Sequence, residues 1–138
     1  MKQIKKTVAA LAIFAGLFTY ANPAFAAVGD QGVDWAVYQG NQGQFGYAHD
    51  KFSISQIGGY NGSGIYWQST YASQVQSSIA QGKRAHTYIW YQSVTNTTLA
   101  KNILDTMLAQ VQTPKGSIVA LDVEDGVANT DVILWSLQ

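Results

Sequence analysis

The stretch that decides the fold is Ile118-Val119-Ala120-Leu121-Asp122-Val123-Glu124-Asp125-Gly126. Its apolar and β-branched residues predict a strand over residues 117–124. Because side chains alternate along a strand, Asp122 and Glu124 share one face and the opposite face is wholly apolar. The Cα atoms of the two acids would lie about 6.6 Å apart at a rise of about 3.3 Å per residue. This pattern is typical of a parallel strand whose apolar side is covered by helices.

Strand-like and helix-like segments alternate along the rest of the chain. Three further strands are predicted by apolar alternation: 32–39, 52–57 and 84–91. Helices are predicted over 70–81, between a cap at Asn96 or Thr97 and Pro114, and over 129–138. The glycine-rich segment 58–64 predicts a flexible loop. This order predicts an α/β fold with parallel strands, which form either a small open sheet or part of a barrel.

The two acids of the fourth strand fall where active sites of parallel α/β folds gather, at the carboxyl end of a strand. Carboxyl groups this close disfavour each other's ionisation, so one keeps its proton to a higher pH. Such a pair suits glycosidic cleavage, in which one group donates a proton and the other supports positive charge. The alternative is a solvated strand end. Glu124 is the only glutamate in the chain, and Asp34 lies at a comparable place on the first strand, where a parallel array would bring it to the same edge.

Aromatic residues supply candidate contacts for a sugar. Sugar C–H faces stack on aromatic rings, and four side chains are candidates for this role: Tyr38, Tyr60, Tyr88 and Trp90. Three of them lie on inferred inward faces, while Tyr60 lies in the glycine-rich segment. For each of the four taken alone, packing in the core is at least as strong an interpretation as contact with a ligand. His86 shares a face with Tyr88, and we interpret it as a core histidine rather than a proton shuttle.

Three blocks of sequence carry a resemblance to a known family: Gly32-Val33-Asp34-Trp35 with Gln39-Gly40, Lys83-Arg84-Ala85-His86-Thr87-Tyr88, and Ala120-Leu121-Asp122-Val123-Glu124. In order and spacing they resemble the glycoside hydrolase family 25 lysozymes, especially the endolysin-like forms of lactobacilli and their phages. The resemblance runs from about residue 30 to residue 138. It implies an irregular β/α barrel that hydrolyses the β-1,4 bond between N-acetylmuramic acid and N-acetylglucosamine of peptidoglycan, with retention of configuration.

The resemblance also implies roles for the acids. Glu124 matches the general acid, Asp122 matches the second, stabilising carboxylate, and Asp34 matches the amino-terminal aspartate of the site. Whether a carboxylate attacks or the N-acetyl group of the substrate assists stays open. The chain departs from the family at His86-Thr87, where the family often has Tyr-His, and at Gln56, where lysine is frequent.

The first residues predict export. Met1–Lys6 carries three lysines, an apolar run follows, and Ala24-Phe25-Ala26 fits a cleavage site, so residues 1–26 read as a signal peptide. All eight acidic residues and five of the eight basic ones follow it, which leaves a net charge of −3. A chain of this charge is expected to bind nucleic acid poorly, because contacts with phosphate need clustered lysine and arginine side chains. Without cysteine and with two isolated histidines, the sequence predicts no metal site and no cofactor.

The family barrel is longer than this sequence. We therefore expect residues 27–138 to be the amino-terminal portion of a family 25 catalytic domain, truncated after about four strands. Whether this portion is active alone stays open. The expected protein is a secreted or wall-associated monomer that contacts peptidoglycan glycan strands and no membrane after signal cleavage. Two alternatives stay open: a non-catalytic peptidoglycan-binding protein, and a secreted α/β domain whose likeness is only ancestral.

Overall fold

The computed structural model describes residues 28–125 and 129–138. The predicted signal peptide, residues 1–26, lies outside the described residues. Five strands form one sheet: β1 Gly32–Trp35, β2 Phe52–Asn61, β3 Ile65–Trp67, β4 Arg84–Gln92 and β5 Val119–Asp125. The helices among the described residues are α1 Tyr71–Ala80, α2 Thr97–Leu108 and α3 Thr130–Ser136, and a 3-10 turn spans Val37–Gln39.

The sheet has the strand order β1-β2-β4-β5, and these four strands are all parallel. The short strand β3 pairs antiparallel with the end of β2. The predicted α/β fold with a parallel sheet is therefore confirmed. Within the described residues β1 and β5 are edge strands, so the sheet is open there.

The two faces of the sheet differ in chemistry. One face packs against the helices through a buried core that includes Ile57, Val75, Ile89, Ile103 and Met107. The other face carries polar and aromatic side chains. These side chains gather on one face because residues in register on parallel strands point to the same side. Trp90 is in register with Asp122, and Tyr88 with Gln56 and Ala120. The sheet thus separates an apolar helical layer from a polar inner face.

The first strand is shorter than predicted. It ends at Trp35, which is buried, and the chain then turns through Val37–Gln39. The Gln39 side chain accepts a hydrogen bond from the Ala36 backbone N–H at 2.7 Å, which stabilises the turn in place of further strand pairing. Alternation therefore does not continue to Tyr38, although Tyr38 still reaches the inner side of the sheet, as described below.

The predicted flexible loop is partly strand. Gly58 and Gly59 lie inside β2, between β3 and β4. A Cβ on Gly58 would lie 2.1 Å from the Tyr66 carbonyl oxygen, and one on Gly59 would lie 2.2 Å from the Trp90 carbonyl oxygen. The two glycines thus permit close approach of neighbouring backbones. Strand β3 was not predicted.

The helices begin near their predicted positions. Thr70 is the N-cap residue of α1, but its side chain makes no capping hydrogen bond. The Asn129 side chain accepts from two N–H groups at the start of α3. In α3, Val132 is buried against the core, whereas Leu134, Trp135 and Leu137 are exposed. None of the helices within the described ranges is long and apolar enough to cross a bilayer.

Asn96 offers a test of the cap of α2. Its side-chain oxygen accepts from the Leu99 backbone N–H at 2.9 Å. We expect Asn96→Ala to lower the free energy of unfolding by about 1 kcal/mol, because that N–H loses its partner. Urea denaturation measures the change. Asn96→Asp keeps the acceptor and serves as the matched control, so an equal loss in both variants would contradict the capping role.

Candidate active site

An open cavity of about 300 Å³ lies on the inner face, at the carboxyl end of the parallel strands. It is lined by the following residues: Asp34, Ala36, Tyr38, Gln39, Gln56, Tyr66, Gln68, Tyr88, Trp90, Asp122 and Glu124. All three acids that the sequence singled out are in this lining. Within the described residues the lining holds no lysine or arginine, so its formal charges are all acidic.

Asp122 and Glu124 face the cavity together. The pairing of β5 with β4 shifts near its end, because Tyr91 is opposite Val123 and Gln92 is opposite Asp125, which leaves Glu124 as an extra residue. Asp122 is half-buried and Glu124 is exposed. Burial, the charges of Glu124 and Asp34, and a side-chain hydrogen bond with Glu124 all raise the pKa of Asp122. The pair is therefore suited to share a proton rather than to carry two full charges.

Asp34 approaches the same cavity from the end of β1. Burial raises the pKa of Asp34, a hydrogen bond from the Tyr88 hydroxyl opposes this shift, and the charge of Glu124 adds to it. Tyr88 itself is buried, and its pKa is raised by burial and by the charges of Asp34 and Asp122. Tyr88 therefore stays a neutral hydrogen-bond donor that orients Asp34.

A hydrogen-bonded group that the sequence analysis missed forms another wall. The Gln68 side-chain N–H donates to the Gln56 side-chain oxygen at 2.8 Å, and the Gln56 side-chain N–H donates to the Tyr66 hydroxyl oxygen at 2.8 Å. With an acceptor site on its oxygen occupied, the Tyr66 hydroxyl is available to donate its own proton. Tyr66 lies on the unpredicted strand β3. The sequence could have indicated only the position of Gln56, which lies on a predicted strand next to the strand of Tyr88.

The aromatic candidates separate into two groups. Tyr38, Tyr88 and Trp90 line the cavity, and Tyr38 is 90% exposed. Trp90 also contacts Tyr66 edge to face, with ring centroids 6.0 Å apart. The structure does not bring Tyr60 into the cavity. Its ring packs against the core on the helical face and its hydroxyl donates to the Gly62 carbonyl oxygen.

His86 is buried beneath the site and does not line the cavity. Its Nδ1 accepts from the Ile118 backbone N–H at 3.1 Å, and the Phe52 ring lies 5.5 Å away. Burial and the Arg84 charge lower the pKa of His86, so it stays neutral at pH 7. This placement agrees with the interpretation of a core histidine. Within the described residues no cluster of three or more His, Cys, Asp or Glu side chains could hold a metal ion.

The arrangement can move a proton and bind a neutral polyhydroxylated ligand. Three carboxyl groups converge, one of which shares a hydrogen bond with a second, and neutral donors and aromatic rings surround them. Carboxyl groups in unequal environments can divide the roles of acid and anion. Aromatic faces and amide groups bind sugars without requiring charge.

Comparison with known proteins agrees with this chemistry. A family model described as glycosyl hydrolases family 25 matches residues 33–136, which is most of the chain and contains every residue of the cavity. Comparison with curated proteins and with solved structures gives no significant match.

Proposed function

Since the chain belongs to glycosyl hydrolase family 25, we propose that it is a lysozyme-type enzyme that cleaves peptidoglycan. The bond would be the β-1,4 linkage between N-acetylmuramic acid and N-acetylglucosamine. The observation that carries this proposal is that Asp34, Asp122 and Glu124 converge on one cavity. Aromatic side chains that could stack against a sugar ring line the same cavity. Glycosidic cleavage needs carboxyl groups on either side of the scissile bond.

Glu124 is the proposed general acid. Its carboxyl group is exposed to the cavity, where it can reach a glycosidic oxygen, and it is hydrogen-bonded to Asp122. Burial and the charges of Glu124 and Asp34 raise the pKa of Asp122, and the hydrogen bond between Asp122 and Glu124 gives a proton a path from one carboxyl group to the other. Donation of a proton to the glycosidic oxygen neutralises the negative charge that develops there as the C–O bond breaks, so the sugar leaves as an alcohol. The negative charge left on the pair then stabilises the oxocarbenium-like sugar.

Asp122 is the proposed stabilising carboxylate. It is more buried than Glu124 and lies beside it, so solvent screens its negative charge less than that of Glu124. Retention of configuration requires either attack by a carboxylate or assistance by the N-acetyl group of the substrate. Asp122 serves in either case, as the nucleophile or as the group that orients the N-acetyl amide. Asp34, which is hydrogen-bonded to Tyr88, would add a third acidic group to the same cavity.

Tyr38, Tyr88 and Trp90 are the proposed sugar contacts, since each lines the cavity. The Tyr66 hydroxyl and the two glutamine side chains beside it supply neutral hydrogen-bonding groups. Tyr60 is left out because its ring packs on the other face of the sheet. We further propose that residues 1–26 are removed as a signal peptide and that residues 27–138 act outside the cell as a monomer, as part of a longer family domain.

Purified protein lacking residues 1–26 tests the proposal when it is incubated with insoluble peptidoglycan. We expect soluble fragments whose new reducing ends are N-acetylmuramic acid, because the proposed cleavage leaves that sugar at the break. Borohydride reduction followed by mass spectrometry identifies the end. New N-acetylglucosamine ends would contradict the assigned bond. Sedimentation with peptidoglycan without any new reducing end would favour the alternative of a non-catalytic wall-binding protein.

A further inference from the structure

The 3-10 turn over Val37–Gln39 has little packing of its own. None of its three residues is buried, yet it carries Tyr38 and Gln39 into the lining of the cavity. Its internal hydrogen bonds run from the Gln39 N–H to the Ala36 carbonyl and from the Gly40 N–H to the Val37 carbonyl, both at 3.2 Å. These bonds fix the shape of the turn. They do not fix where the turn lies relative to the sheet.

A side chain from helix α1 fixes that position. Gln74 is fully buried, and its side-chain nitrogen donates to the carbonyl oxygens of Ala36 and Gly40, each at 2.8 Å. These two carbonyls bracket the turn on either side. Because a backbone carbonyl can only accept, the amide nitrogen and not the amide oxygen must face them. One side chain thus holds both ends of the turn.

The two ends of the Gln74 amide group differ in their hydrogen bonding. Its side-chain oxygen is buried and has no hydrogen-bond partner among the described residues. A buried acceptor without a partner costs free energy, and an apolar side chain of similar size would avoid that cost. Both hydrogen bonds that the amide donates go to carbonyls that flank the turn, so the amide links the position of the turn to helix α1.

We propose that Gln74 is a positioning residue of the site, which sets the location of Tyr38 over the cavity. The hydrogen bonds from Gln74 to the turn are observed in the structure, whereas their importance for sugar binding rests on the proposed function. Tyr38 is 90% exposed and so can cover one face of a bound sugar only if the turn beneath it is held. A positioning role predicts a loss of ligand binding that acts entirely through Tyr38.

Gln74→Met tests the contact, since methionine has a similar size and no N–H. We expect hydrogen exchange at the Gln39 and Gly40 amides to become about tenfold faster, because local opening of the turn becomes easier. Gln76→Met, an exposed position on the same helix, is the matched control and should leave those rates unchanged. Gln74→Asn keeps the donor on a shorter side chain and should give an intermediate rate, which decides the matter if the methionine variant is poorly folded. Unchanged exchange in both Gln74 variants would overturn the proposal.

A double-mutant cycle tests the consequence for ligand binding. For a soluble peptidoglycan oligomer, we expect Gln74→Met and Tyr38→Ala each to raise KM about three- to tenfold, the scale of one aromatic contact, with kcat within about twofold. In the Tyr38→Ala background, Gln74→Met should add nothing further. Additive effects, or a fall in kcat without a rise in KM, would assign Gln74 a merely structural role. If the protein binds the oligomer without cleaving it, the dissociation constant replaces KM in the same cycle, so failure of the proposed function leaves this test intact.

Discussion

Glu124→Gln is expected to lower the rate of peptidoglycan hydrolysis by about 10²–10⁴-fold, the usual contribution of a general acid. Glutamine keeps the size of the side chain and its hydrogen bonding, but it cannot release a proton to the leaving oxygen. The change therefore acts on kcat, while binding of the glycan is largely retained. Release of reducing ends measures kcat, and sedimentation with peptidoglycan measures binding.

Asp105→Asn provides the matched control for this experiment. Asp105 is an exposed acid on α2 that pairs with Lys101 and lies outside the cavity. Its removal changes the net charge by the same amount as Glu124→Gln, so hydrolysis should stay within about twofold, as for surface changes away from a site. If Glu124→Gln were to hydrolyse peptidoglycan as fast as this control, Glu124 would not be the acid.

Asp122→Asn is expected to change activity and stability in opposite directions. Loss of the stabilising carboxylate should lower hydrolysis by about 10²–10³-fold, as for removal of one preorganised electrostatic group. The same change should raise Tm at pH 7, because it removes the repulsion between Asp122 and the other two acids. The expected rise is only roughly 2–4 °C, since Asp122 is half-buried and solvent screens part of that repulsion. Active sites often retain such unfavourable groups at a cost in stability.

The gain in Tm should depend on pH with a defined sign. The pKa of Asp122 in the folded protein is raised above the ordinary value of 3.8. The folded state therefore binds the Asp122 proton more tightly than the unfolded chain does. The stabilising effect of protonation is fully present below pH 3.8 and is lost as the pH rises through the pKa of the folded state. Thermal unfolding of both proteins at several pH values should show the Tm difference shrinking in acid. A Tm difference that grows in acid would contradict the assigned shift.

The parts of the site on regular parallel strands could be predicted from the sequence. Period-two alternation indicated that Asp122 and Glu124 lie on one side of the sheet, and the position of Asp34 on a parallel strand indicated that it would join them. The shift in pairing that leaves Glu124 as an extra residue was not predicted. Both rules are local or topological, so a single sequence is enough to apply them. The roles of these residues in catalysis stay predictions.

The missed parts depend on contacts between distant segments. Gly58 and Gly59 resemble loop residues, because a sequence does not show which backbones approach them. Strand β3 is three residues long, too short for any periodicity to indicate it. The position of Tyr38 depends on Gln74, which is 36 residues away in the chain and reads as an ordinary polar residue of a helix. Tyr60 was placed near the sugar by its glycine neighbours, whereas its register in β2 turns it toward the core.

The two glycines of β2 have a consequence for how this site can evolve. Tyr66 reaches the cavity because the backbone of β3 lies against Gly58, where no side chain fits. Natural selection on the candidate active site would therefore extend to a position that offers no functional group at all. Substitution of Gly58 by a residue with a Cβ atom would displace the backbone of Tyr66 and would leave the three carboxyl groups unchanged. Two adjacent glycines would then be retained in descendants of this chain for the spacing they permit.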